Sequence, residues 1–94
     1  MEFERKPDAL VAHDADGKLI AEITFPPTDD PMVVNANHTF VDVSLRGQGV
    51  AGQLLDEMVA QMSAEGKKIK ATCPYVVDKF NNEPEKYDFI NADR

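Results

Sequence analysis

The chain has 94 residues, 43% hydrophobic and 29% charged, with ten basic against seventeen acidic side chains and a net charge of −7. That length suits one domain (residues 1–94) with one modest core, and the composition excludes a disordered tail, a collagen-like chain and a disulfide scaffold. An acidic chain repels phosphate backbones, which argues against general nucleic-acid binding but leaves room for a local cationic pocket. The one cysteine, Cys73, has no internal partner. Met1 to Lys6 lacks the apolar run of a secretory signal, and no apolar run is long enough for a membrane span, so a cytoplasmic protein without a membrane partner is expected.

In chain order, Ala9 to His13 is a short apolar run, and the turn formers Asp14 to Lys18 follow it. Leu19 to Phe25 then alternates, with Leu19, Ala21, Ile23 and Phe25 on one face and Ile20, Glu22 and Thr24 on the other. The two runs predict a hairpin that ends at Pro26-Pro27, where the ladder loses its donors. Met32 to Ala36 and His38 to Val43 read as a third and a fourth strand, with Asn35 and Asn37 around the break. From Val50 the pattern changes. Val50, Leu54, Leu55, Met58, Val59 and Met62 form a helical stripe that is core, and Gly66 followed by Lys67 and Lys68 suits the helix end. Lys68 to Cys73 predicts another strand, Tyr75 to Phe80 a turn or two of helix, and Pro84 the start of a last short helix through Tyr87 to Ile90. The order predicts an α/β (α+β) class. It has a mixed, mostly antiparallel sheet, a central strand–helix–strand unit with a parallel pair, and flanking helices.

The most informative segment is Arg46-Gly47-Gln48-Gly49-Val50-Ala51-Gly52, between a strand and a helix. A loop opening into a helix N-terminus presents unpaired N–H groups and a partial positive charge, and glycines let an anion approach the backbone. Arg46 adds a charged donor. The segment lacks the Gly-Lys-Ser/Thr of a nucleotide triphosphate loop. It does match G-x-G-x-x-G, but 94 residues do not hold the second half of a dinucleotide fold. The alternative is a glycine turn that merely starts a helix.

Arg46 to Ala51 resembles the R/Q-x-x-G-x-G/A motif of the GNAT acetyltransferase superfamily, with Ala51 in the final position. The chain is more specifically similar to small single-domain GNAT-like proteins. It shares their Gly-x-x-x-Ala-Glu-Ile strand (Gly17 to Ile23), their His-Thr-x-Val strand (His38 to Val41) and their Cys-x-Tyr (Cys73 to Tyr75). The resemblance covers roughly Ala9 to Phe80. It implies acetyl-coenzyme A as cofactor, with its pyrophosphate on the backbone of Gln48, Gly49, Val50, Ala51 and Gly52 beside Arg46 and Gly47. The pantetheine arm would run along Phe40, Val41 and Val43, and an amine would be the acceptor. Full-length members carry two helices between their first two strands; here only Asp14 to Lys18 stands there, so the acceptor site is expected to be open.

Amide formation from a thioester needs a neutral amine, a polarised carbonyl and a proton for the leaving sulfur. His38 is the candidate base, Cys73 the candidate acid or nucleophile, and Tyr75 a second acid. Each has a plainer reading: Cys73 as a small buried hydrophobe, His38 as a strand hydrogen-bonder. His13 is read as solvated. Cys73, His38 and His13 lack zinc-ligand spacing, so no metal is assigned. The expected activity is acetyl transfer to an amine on an unidentified acceptor, and the open site allows a large one. The competing expectations are a non-catalytic acyl-CoA-binding or protein-interaction module and a nucleotide-phosphate binder.

Overall fold

A computed structural model describes residues 1–94. The elements are β1 (Glu4–Lys6), β2 (Ala9–His13), β3 (Leu19–Thr24), β4 (Val33–Ala36), β5 (His38–Val41), a 3-10 turn (Val43–Leu45), α1 (Val50–Ala64), β6 (Lys68–Ala71), α2 (Pro74–Asn82) and α3 (Pro84–Tyr87). Strands β1, β2, β3 and β5 pair antiparallel in that order, while β4 and β6 pair parallel across the α1 crossover. The expected mixed sheet and its strand–helix–strand unit are therefore present.

Two findings refine the sequence reading. Glu4–Lys6 forms an edge strand on β2 although its side chains are all charged and exposed. Its ladder to Ala9, Leu10 and Val11 holds it there, together with the Arg5 guanidinium, which donates to Gln61 and Glu65 at 2.8 Å. The alternation of the third strand also slips. A register shift at Ala12/His13 sets His13 opposite Leu19, and Ile20 packs against the core with Ala21 and Ile23.

The segment Val33 to Val41 connects the two ladders. Its first half pairs with β6 and also receives the end of β3, Asn35 N–H donating to Pro26 O at 2.9 Å. At Asn37 the chain shifts register. Asn37 N–H donates to Thr24 O at 3.2 Å, and its side chain is hydrogen-bonded to the Thr24 hydroxyl. Beyond this point β5 stays with β3 and leaves β6. The last ties across the parallel pair are Thr72 and Cys73 N–H to Ala36 O, at 3.1 and 2.9 Å.

The core lies under one face of the sheet. The α1 stripe Val50, Leu54, Leu55, Met58, Val59 and Met62 is buried as its spacing predicts. Each such side chain contributes roughly 1.5–3 kcal/mol by leaving water. It meets Leu10, Ala21, Ile23, Val34 and Ile69 from the sheet and Val76, Phe80 and Tyr87 from α2 and α3. Ala9 and Val11 are buried but lie outside that cluster, on the opposite face.

Candidate active site

Two devices open the glycine loop. Asp42 accepts from Ser44 N–H at 3.0 Å and Ser44 Oγ at 2.6 Å, which turns the chain out of β5 into the 3-10 turn. The predicted strand to Val43 therefore stops at Val41, and Val43 is 72% exposed in the turn. These hydrogen bonds, with Lys18 beside them, hold the Asp42 carboxyl down at about 2. Gly47 and Gly49 then take φ of +83° and +75°, a region that side chains other than glycine rarely adopt.

Gly49 is the N-cap of α1, no side chain caps the helix, and no acidic residue stands in its first turn. The first bond of the helix runs from Gln53 N–H to Gly49 O at 3.1 Å. The N–H groups of Gly47, Gln48, Gly49, Val50, Ala51 and Gly52 are left without a backbone acceptor. A Cβ built at Gly47 or Gly49 meets nothing within 4 Å, so space stands over the loop. A cleft of about 280 Å³ runs from this loop to Val41, Leu45 and Tyr75. The donors and the space fit an anionic ligand such as a pyrophosphate.

The other end of the site is the gap left when β5 departs from β6. Asp42 N–H bonds Ile20 O at 2.8 Å, and Phe40 lies opposite Glu22. By the alternation of an antiparallel ladder, the N–H and C=O groups of Thr39 and Val41 face the gap. The Val41 carbonyl there accepts from Arg46 Nε at 3.3 Å. The side chains alternate too. Val41 packs on the core and Thr39 reaches Cys73, whereas His38 and Phe40 lie on the face away from the helices.

The matching family model, described as GCN5-related N-acetyl-transferase, covers residues 10–90. The chain belongs to the GCN5-related N-acetyltransferase family. Acyl transfer is the class of chemistry that this membership gives it. Among solved structures it is similar to a GCN5-like protein from Staphylococcus aureus, at 28% identity and a TM-score of 0.77, over 96% of this chain and 86% of that one. It is also similar to a GNAT family N-acetyltransferase from Escherichia coli solved in complex with CoA. The identity is 32% and the TM-score 0.57, over 65% of this chain and 37% of that one. The chain thus spans well under half of that larger enzyme. A ribosomal-protein-alanine N-acetyltransferase from Brucella melitensis shares the fold at 22% identity, with a TM-score of 0.56 over 93% of this chain and 64% of that one. No protein of curated function matches the chain.

In this GNAT chain most residues singled out from sequence fall in three places, while Val43 stands exposed in the 3-10 turn and the Phe40 side chain lies on the helix-free face. Val41, Arg46, Gly47, Gly49, Val50, Ala51, Gly52 and Tyr75 line one cleft, with Gln48 in the same loop. Gln48 itself donates from Nε2 to Ser44 O at 3.3 Å, bracing the turn. Cys73 is the N-cap residue of α2, 5% exposed, where Pro74 opens the helix instead of only ending the strand. His38 is exposed on the opposite face of the sheet from Cys73. The structure therefore does not pair His38 with Cys73; it sets them on two sides of the β5 edge. Tyr75 stands at the glycine-loop end, its hydroxyl 3.7 Å from the position of a Cβ on Gly52. Burial pushes its phenol above the ordinary value, Lys79 opposing and Asp56 and Glu83 adding to the shift, so it is a neutral donor at physiological pH. Thr39 was not legible as a site residue. It stands in the His-Thr-x-Val strand, but its hydroxyl carries no titration signal and nothing local in sequence names its partner. No group of three or more His, Cys, Asp or Glu side chains is arranged to hold a metal, and no helix is long and apolar enough to cross a membrane.

Proposed function

We propose that the protein transfers an acetyl group from acetyl-CoA to an amine. The observation that carries this reading is the run of unpaired backbone donors from the glycine loop, joined by one cleft to the open edge of β5. The loop N–H groups and Arg46 hold the pyrophosphate, and the Thr39 and Val41 backbone groups take the pantetheine amides as an added strand. Arg46 leaves the Val41 carbonyl as it turns to the phosphates. Bound there, acetyl-CoA supplies a thioester carbonyl as acyl donor.

The rest of the chemistry falls to side chains on the two sides of the β5 edge. His38, exposed on the helix-free face, accepts the proton that the attacking amine loses. Cys73, on the helix face, holds a proton at Sγ for the sulfur that leaves as the carbon–sulfur bond breaks. Tyr75 donates a hydrogen bond to the cofactor in the cleft and is the second acid. The helix-free face lets an acceptor reach His38 without passing α1 or α2, which suits an acceptor on a large molecule.

The test is acetyl transfer from labelled acetyl-CoA to a panel of amines and proteins. Transfer that falls in Cys73→Ala and His38→Ala, with CoA binding retained, supports the reading. A second reading is favoured by the same open face: a CoA-binding module without turnover. It predicts binding with no transfer to any acceptor in the panel.

A further inference from the structure

Thr39 is the one side chain hydrogen-bonded to the Cys73 sulfur. The sulfur donates to Thr39 Oγ1 at 3.5 Å, within range for a thiol donor, and the contact is partly buried. The two residues come from segments far apart in sequence. They meet because β5 parts from β6 at Asn37, where Ala36 O has already taken the Thr72 and Cys73 N–H groups. Those bonds fix the Cys73 backbone, the packing of α2 fixes its surroundings, and only the S–H direction remains to be set. The next bond in the sequence, Thr72 Oγ1 to Asn35 Oδ1 at 2.7 Å, ties the same corner on its other side. Thr39 also offers its own N–H and C=O to the gap, so its side chain and its backbone address the same ligand path.

We propose that Thr39 is a positioning residue that aims and stabilises the sulfur of Cys73. In the thiol, S–H donates to Oγ1. When the proton leaves for the departing sulfur of the thioester, the Thr39 hydroxyl rotates and donates its own hydrogen to the Cys73 sulfur. The bond count at Cys73 is thereby kept, and no buried anion is left without a donor. Its role in catalysis rests on the acetyl-transfer reading, but the pairing itself does not.

The chain holds a single cysteine, so the S–H stretching band in a Raman spectrum and the rate of alkylation by iodoacetamide both report Cys73 alone. Thr39→Val keeps the shape and removes the hydroxyl; Thr39→Ser keeps the hydroxyl. The Val variant is expected to raise the S–H frequency and slow alkylation by roughly three- to tenfold, and the Ser variant to restore both. A band and a rate unchanged in Val, or a change that Ser does not restore, overturns the proposal. Should Val fail to fold, the wild-type band decides: a frequency equal to that of a thiol in an apolar solvent overturns it. CoA titration of the same proteins separates the two readings. A Thr39-dependent band without CoA binding removes the acetyl-transfer role and leaves the pairing. CoA binding without a Thr39-dependent band does the reverse.

Discussion

The two ends of the cleft are built from different materials. At the glycine loop the working groups are chiefly backbone N–H donors, with open space over Gly47 and Gly49. At the splayed strands the working groups are side chains, Cys73 in the core, Thr39 half-buried beside it and His38 exposed. The difference teaches how so small an acidic chain can hold a polyanion: the charge is gathered by the peptide units of one turn and one helix, with a single arginine added. It also predicts that side-chain substitutions at the splay change chemistry more than binding, since the β5 edge binds through its backbone groups.

The largest effect is expected at the loop. Gly49→Glu forces a side chain into a positive φ and puts a negative charge at the helix N-terminus, so CoA affinity by calorimetry should fall about a hundredfold or more. An affinity like that of wild type in a folded Gly49→Glu protein removes the loop from the site. At the other end, Cys73→Ala should lower acetyl transfer by roughly a hundredfold and leave CoA affinity within about twofold, which steady-state kinetics beside calorimetry will show. Equal losses in both would mean that the two ends are one unit.

Tyr75 sharpens the boundary between them. Its hydroxyl lies by Gly52, on the binding side, so Tyr75→Phe should weaken CoA binding by about fivefold with a smaller change in kcat. A collapse of kcat with binding intact would make Tyr75 the acid. The smallest effect is acidic. The carboxyl of Asp42 is held at about 2, below its ordinary 3.8, chiefly by the Ser44 hydroxyl and N–H. A depressed carboxyl stabilises the turn fully above the ordinary value, and the contribution is lost as pH falls through the folded one. The Ser44 amide signal in an NMR titration should therefore move near pH 2. Movement near the ordinary value would mean the turn is not capped this way.

The same contrast explains what was legible in the sequence. The loop, α1 and the strand Leu19–Thr24 were, because glycine spacing and apolar periodicity are local signals. The strand Glu4–Lys6 was not, since nothing apolar marks an edge held by its ladder and by the Arg5 side chain. Nor was the division of roles at the splay. His38 and Cys73 stood out as reactive types, but which side of the sheet each takes depends on the register shift at Asn37. The role of Thr39, seen in sequence only as part of the His-Thr-x-Val strand, was hidden for the same reason: its partner lies across a gap between strands that do not pair.

Calorimetric titration of acetyl-CoA, CoA and ATP into the protein decides whether the glycine loop and the open β5 edge form one acyl-CoA site. Acetyl-CoA and CoA are expected to bind, and ATP, which has phosphates but no pantetheine arm for the strand edge, is not expected to bind comparably. ATP binding as tight as that of CoA, or no binding by any of the three, would contradict a single acyl-CoA site.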